Sequence, residues 1–272
     1  MQDIRLCVCD LDGTLLNSHD KINHQDLSSL LKLASSGIPT VIATGRCELQ
    51  ILEYIDQLQI TGPVITCNGG FIKNVKDNQI LRCKKFEYSK VIELITFCND
   101  NNLDYLVYQP ECVYYPPNAK RVEKFKKYNT TAQEKHRVPL TCVTDADENI
   151  LFHNTLKVLV IGNDDLRKRI CSLFNSDDNF TAVMSGENLI DIMPGYTTKG
   201  DGIKFLCQTL SIPLEKVIVF GDSPNDLSMF NLPCISVCMG NANDEMKKQA
   251  SFVTLSNDEY GITHALKNFN II

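Results

Sequence analysis

The chain has 272 residues, 43% of them hydrophobic and 22% charged, with a formal net charge of -6. That length is comfortable for two domains of different size, and the acidic balance argues against a broad nucleic-acid-binding surface. No apolar run approaches the roughly 20 residues that span a bilayer; from the start, Met1-Gln2-Asp3, neither a secretion signal nor a lipidation signal is expected, and a free-standing cytoplasmic protein is expected.

Short apolar runs alternate with segments of helical period, the pattern of an α/β fold with a parallel sheet. Ile4 to Cys9 reads as a buried strand that runs into Asp10-Leu11-Asp12-Gly13-Thr14. A helix is expected over 25–36, with Leu27, Leu30, Leu31 and Ala34 on its inner face and Gly37 as its stop. Residues 38–46 give the second strand, 48–58 the next helix, and 63–70 a third strand ending at Asn68-Gly69-Gly70. The texture then changes. Residues 82–192 are richer in Tyr and Pro, with strand-like "LDYLVYQ" and "TLKVLVIG", and with "FTAVMS" and "LIDIMP" as consecutive strands about a Ser185-Gly186 turn. The basic stretch from Lys120 to Lys127 has Val122 and Phe125 at helical spacing and reads as a solvated helix face. The first rhythm returns with a helix over 199–210, a strand entering "GDSPND", a strand within 234–242, and short helices at 243–250 and 259–268. The expected architecture is α/β: a doubly wound, Rossmann-like parallel sheet core (1–81 and 193–272) interrupted by an inserted α+β domain (82–192).

The twelve cysteines are spread along the chain without a C-x-x-C pair or metal-ligand spacing. They read as reduced, mostly buried thiols. Cys47, beside Arg46, is a candidate for oxidation sensitivity.

Four polar clusters fall at element ends. Residues two apart in an extended segment point the same way, so Asp10 and Asp12 are expected to face one site off the carboxyl end of the first strand, where open α/β sheets bind ligands. Thr44-Gly45-Arg46 closes the second strand with a hydroxyl, backbone N–H groups and a guanidinium. Lys199 stands at a helix start, which already favours anions. Asp222, Asn225 and Asp226 follow a later strand. Carboxylates without histidine or cysteine partners suit a hard cation, Mg2+ foremost. The threonine, lysine and backbone N–H groups suit a phosphoryl group. A carboxylate beside that group can act as a nucleophile and form an acyl phosphate.

Asp10-Leu-Asp12-Gly-Thr14, Thr44 in "ATGR", Lys199 in "TTKG" and "GDSPND" resemble the four motifs of the haloacid dehalogenase superfamily of phosphatases. "NGG" at 68–70, "MGNA" at 239–242 and "SNDEYGI" at 256–262 are similar to its Cof-type sugar-phosphatase branch. The resemblance implies Asp10 as the nucleophile that becomes aspartyl phosphate, and Asp12 as the acid for the leaving oxygen and then the base for water. It implies Mg2+ held by Asp10, the backbone carbonyl of Asp12 and Asp222, with Asp226 as a ligand or an outer partner. Thr44, Gly45, Arg46, Lys199 and Asn225 are implied as the phosphate cradle. Only 33 residues separate Asp10 from Thr44, against 154 between Thr44 and Lys199. The insertion therefore follows the second motif, the position of the large cap in Cof-like phosphatases. Such a cap excludes water and macromolecules. A small phosphorylated metabolite, a sugar phosphate foremost, is the expected partner, with no nucleic acid, membrane or obligatory protein.

Two other readings share the fold. A phosphomutase of the phosphomannomutase type needs basic cap residues for a distal phosphate; Lys120, Arg121 and Arg137 are candidates but form no clear cluster. A non-catalytic binding module is expected to have lost the nucleophile, a metal ligand or the lysine, and all are retained.

Overall fold

A computed structural model of the chain describes residues 3–143 and 152–272. The first two residues, on which the expected lack of a secretion signal partly rests, and part of the 82–192 insertion lie outside the described residues. In chain order the elements are β1 (Leu6–Cys9), α1 (His24–Ser35), β2 (Thr40–Ile42), α2 (Leu52–Gln57), β3 (Pro63–Thr66), β4 (Phe71–Asn74) and β5 (Ile80–Cys83). Then come α3 (Tyr88–Asp100), β6 (Asp104–Tyr108), β7 (Val113–Tyr115), α4 (Val122–Thr131), β8 (Leu140–Cys142), β9 (Lys157–Ile161), α5 (Asp164–Phe174), β10 (Phe180–Gly186) and β11 (Leu189–Pro194). The chain closes with α6 (Lys199–Leu210), β12 (Val217–Gly221), α7 (Leu227–Phe230), β13 (Ile235–Cys238), α8 (Asp244–Lys247), β14 (Phe252–Val253) and α9 (Gly261–Asn268).

The chain divides into two compact units. The first comprises Met1–Thr44, Tyr54–Leu81 and Thr198–Ile272, the second Gly45–Glu53 and Arg82–Thr197. In the first, five parallel strands lie in the order β14-β13-β12-β1-β2. Strand order reverses at β1, which has β12 on one side and β2 on the other; that reversal opens a crevice beyond the strand ends. β1 is buried on both faces, as parallel strands between helices are. Leu6 and Val8 join Val41, Ile65, Ile203, Leu206 and Val219 in one core. Cys7 and Cys9 point the other way, their sulfurs 3.8 Å apart.

The second unit has its own sheet, β10-β11-β9-β6-β7-β8, in which only the β7–β8 pair is parallel among the pairings described. Val91, Leu94, Val107, Val158, Ile170 and Ile192 are among the residues that fill its core. The fold is thus the expected parallel-sheet α/β core with an additional sheet domain.

Several local expectations need correction. The inner face of α1 is Asp26, Ser29, Leu30 and Leu33, while Ala34 is exposed and Leu27 and Leu31 are half-buried. The helix is rotated because Asp26 Oδ1 accepts hydrogen bonds from Thr263 N (2.8 Å) and Thr263 Oγ1 (2.7 Å) on α9, so a polar stripe turns inward. The helix expected over 48–58 starts as a 3-10 turn, Glu48–Gln50, before α2. Ser185 and Gly186 are still in β10; the hairpin turns at Glu187-Asn188, where Asn188 takes φ 61°. The basic stretch does form the solvated helix expected: Val122 and Phe125 are buried while Lys124, Lys126 and Lys127 are exposed.

Candidate active site

β1 stops at Cys9, so Asp10 is the first residue beyond the sheet and Asp12 already belongs to a turn. Asp10 N donates to Phe220 O (3.0 Å) on the neighbouring β12, which carries the chain into Asp222. Two adjacent parallel strands thereby deliver two carboxylates to the same end of the sheet. Gly13 makes the close approach possible. It has φ +76°, and a Cβ there would lie 2.4 Å from Asp222 Oδ2. Thr14 Oγ1 donates to Asp222 Oδ1 at 2.8 Å.

Lys199 opens α6, whose N-cap Thr198 accepts from Asp201 N at 3.1 Å. Its side chain is fully buried, with Nζ 2.6 Å from Asp10 Oδ1 and 2.6 Å from Asp226 Oδ1. The other oxygen of Asp226 accepts from Asp222 N (2.9 Å) and Ser223 N (3.0 Å). Asp226 therefore holds both the lysine and the loop that bears Asp222. Asp10, Asp222 and Asp226 each place one carboxylate oxygen within 4.8 Å of the others.

The electrostatics of this cluster are unbalanced. Burial raises the Asp10 carboxyl well above the usual carboxylate range, and the Asp226 and Asp222 charges add to this while Lys199 opposes it. Burial, then Asp226, pushes Asp222 up to about 7. Burial works against charge on Lys199, but Asp10 and Asp226 outweigh it and hold the ammonium above its ordinary value. Lys199 is ion-paired with two carboxylates, Asp10 and Asp226, and a third, Asp222, lies in the same cluster. Removing charged groups from water costs several kcal/mol per ion unless opposite charge compensates. An all-oxygen donor set with surplus negative charge fits a hard divalent cation.

Of the other residues singled out from sequence, Thr44 is buried; its carbonyl accepts from Asn68 N and its N–H donates to Ile65 O, both at 2.9 Å. Asn225 is buried and donates from Nδ2 to Asn68 Oδ1 at 3.0 Å, while its Oδ1 accepts from Ser223 Oγ at 2.6 Å. Asp12 is exposed and its carboxylate is outside the three-carboxylate group. Gly45 and Arg46 fall in the second unit, where the Gly45 carbonyl accepts from Lys157 Nζ at 2.6 Å. Cys47 is buried there too, and burial pushes its thiol up to about 12, which disfavours the reactive thiolate.

Asn68 joins the site although its motif carries no role there on sequence grounds. It sits at φ 52°, after Cys67 at φ 49°, and this left-handed pair aims its side chain at Asn225. The available signal was the "NGG" motif, where Asn tolerates that conformation. Asn241, from "MGNA", donates from Nδ2 to Gly13 O at 2.8 Å.

Residues 7–266 match the model of a family described as haloacid dehalogenase-like hydrolase. Phosphatase YwpJ of Bacillus subtilis is 27% identical over 97% of this chain and 99% of its own. The 5-amino-6-(5-phospho-D-ribitylamino)uracil phosphatase YwtE of the same organism is 27% identical, with 94% of each chain covered. Among solved structures, a haloacid dehalogenase-like hydrolase from Bacteroides thetaiotaomicron superposes with a TM-score of 0.84 at 25% identity, covering 98% of this chain and 99% of that one.

Proposed function

The chain belongs to the haloacid dehalogenase-like hydrolase family and is a phosphoric monoester hydrolase; from that premise we propose that it is Mg2+-dependent, works through an aspartyl phosphate on Asp10, and takes a small phosphorylated metabolite such as a sugar phosphate. The observation that carries this reading is the meeting of Asp10, Asp222 and Asp226 within 4.8 Å, with the buried Lys199 against them.

Asp10, Asp222 and the backbone carbonyl of Asp12 would hold the cation, with Asp226 behind them. When bound, it supplies the positive charge that lets Asp10 stay ionised near a phosphoryl group. The remaining work belongs to the chain. Lys199 fixes the rotamer of Asp10 through Oδ1. The Asp10 carboxylate attacks phosphorus, a new O–P bond forms and the ester P–O bond breaks. Asp12 gives its proton to the departing ester oxygen, so the product leaves as a neutral alcohol. Asp12, now a carboxylate, takes a proton from water as that water attacks the acyl phosphate. Asp10 and inorganic phosphate are released. Thr44, Asn225 and Lys199 bind the phosphoryl oxygens, and Gly45 and Arg46 are proposed to extend that set.

Residues 82–192 are proposed as the substrate-specificity domain. A phosphorylated ribityl compound is what one relative acts on by name, which supports a polyhydroxylated leaving group. No helix of the described residues is long and apolar enough to cross a membrane; a cytoplasmic location is part of the proposal. The test is phosphate release from a panel of phosphorylated metabolites and one aryl phosphate, with and without Mg2+. Asp10→Asn is expected to lower kcat by about 10^4-fold or more, as loss of a nucleophile does. Turnover that survives in Asp10→Asn or in a chelator would overturn the mechanism.

A further inference from the structure

The "MGNA" and "SNDEYGI" motifs have no part in the chemistry above, yet both reach the loop that carries Asp12. Two backbone oxygens of that loop, on Gly13 and Leu16, are each met by an asparagine side chain. Asn241 Nδ2 donates to Gly13 O at 2.8 Å, and Asn257 Nδ2 donates to Leu16 O at 2.8 Å. The two asparagines are themselves joined, because Asn257 N donates to Asn241 Oδ1 at 3.0 Å. Asn257 is buried, and its carbonyl accepts from Asn23 Nδ2 at 2.6 Å. Asn23 in turn receives Asn17 Nδ2 at 2.8 Å.

The placement is specific to the Asp12 turn. Asp12 pairs with Leu16 in an isolated bridge, and Leu16 N donates to Leu11 O at 2.8 Å. Gly13 (φ +76°) is the point of least steric restraint in that turn. Pinning its carbonyl, and that of Leu16 beyond, fixes the backbone on which the exposed Asp12 side chain stands. The clasp is anchored on the site side as well: Met239 N donates to Gly221 O at 3.0 Å, next to Asp222. Gly240 allows the two segments to touch. Its N–H donates to Leu255 O at 3.0 Å, and a Cβ there would lie 2.8 Å from Ser256 N.

We propose that Asn241 and Asn257 are positioning residues for Asp12, acting through the Gly13 and Leu16 carbonyls to hold it where it can protonate a leaving group. This rests on the reading of Asp12 as the general acid. Proton donation matters for an alkoxide, which leaves poorly, and little for a 4-nitrophenolate, which leaves well without a proton. Loss of positioning therefore has a signature that general damage to the fold lacks.

The experiment compares kcat/KM, which reports the step up to leaving-group departure, for a sugar phosphate or other alkyl phosphate and for 4-nitrophenyl phosphate. The variants are Asn241→Ala, Asn241→Asp and, as reference, Asp12→Asn. Asn241→Asp keeps the side-chain size but turns a donor into an acceptor facing Gly13 O. Both Asn241 variants are expected to lose about 10- to 100-fold on the alkyl ester, as a misplaced acid does, and less than about 3-fold on the aryl ester, where no acid is needed. Asp12→Asn should show the same preference more strongly. Equal losses on both esters, or none on either, in the Asn241 variants would overturn the positioning role while Asp12→Asn still discriminates. An Asp12→Asn variant that does not discriminate would overturn the general-acid reading and this proposal with it.

Discussion

Among the described residues each unit buries one lysine against aspartate, and the two environments differ in their charge count. Lys199, in the first unit, lies 2.6 Å from each of two carboxylates, with Asp222 as a third beside them. Lys157, in the second, has one carboxylate, Asp191, at 2.8 Å. Its other described contacts are neutral: the Gly45 carbonyl at 2.6 Å and the Tyr108 ring, 4.6 Å from Nζ to the centroid. Both lysines are almost wholly out of solvent. In the contacts described, the Lys157 pair sets one charge against one charge, with a π face in support. The Lys199 cluster is left with surplus negative charge. A buried ion pair that balances is a piece of architecture, whereas one that does not is a place for something else to bind.

That difference predicts stability changes of opposite sign. The largest is expected from Asp191→Asn, which leaves Lys157 charged and buried without its carboxylate. Breaking a buried pair from one side costs about 3–5 kcal/mol, read as a fall in denaturation midpoint. A variant as stable as wild type would erase the distinction between the two units. Next is Mg2+ itself. At about 100 times its Kd the cation should stabilise the protein by about 2.7 kcal/mol, and Asp10→Asn or Asp222→Asn should reduce that gain. An equal gain in both variants would move the cation elsewhere.

The effect of opposite sign is the most diagnostic. In chelator, Asp222→Asn should be more stable than wild type at neutral pH, because burial makes the charged form costly. The Asp222 carboxyl is raised from its ordinary 3.8 to about 7 in the folded protein. Folding thus favours its protonated form. The stability it lends is complete below about pH 4 and is lost as pH rises through about 7, by proton linkage. The advantage of Asp222→Asn should accordingly grow between those limits and then level off. A flat difference across that range would show that the carboxyl is not held in its acid form.

How much of this was legible depended on whether the signal was local. The helix expected over 199–210 matches α6 residue for residue, since a Thr N-cap followed by an apolar period is complete within one segment. Asp10 and Asp222 could be expected together because adjacent strand ends in an open sheet share a crevice. Strand alternation does not reach Asp12, because β1 ends at Cys9 and the chain has already turned. The short β4 and β5 strands escape a sequence reading; their segment is broken by Lys73, Asn74, Lys76, Asp77 and Asn78, which mask any alternation. The rotated face of α1 depends on Thr263, more than 200 residues away, and no periodicity carries that. The Lys157–Asp191 pair did leave a trace: each is the one charge in an apolar run, "TLKVLVIG" and "LIDIMP". Lone charges in runs that read as buried strands are worth pairing with each other on sequence grounds, because burial leaves a charge few other ways to be compensated.

The complete enclosure of Lys199 has a consequence for control of the enzyme in a cell. Acylation of a lysine needs an amine that has shed its proton and that a bulky thioester or transferase can reach. Lys199 has no exposed surface, and its two carboxylate neighbours keep it protonated. Acylation, to which exposed lysines are open, has no access to this one while the chain is folded. Inhibition by acylation would have to be directed at lysines on the surface, which leaves the amine proposed to bind the phosphoryl group as a part of the enzyme that acyl donors do not tune.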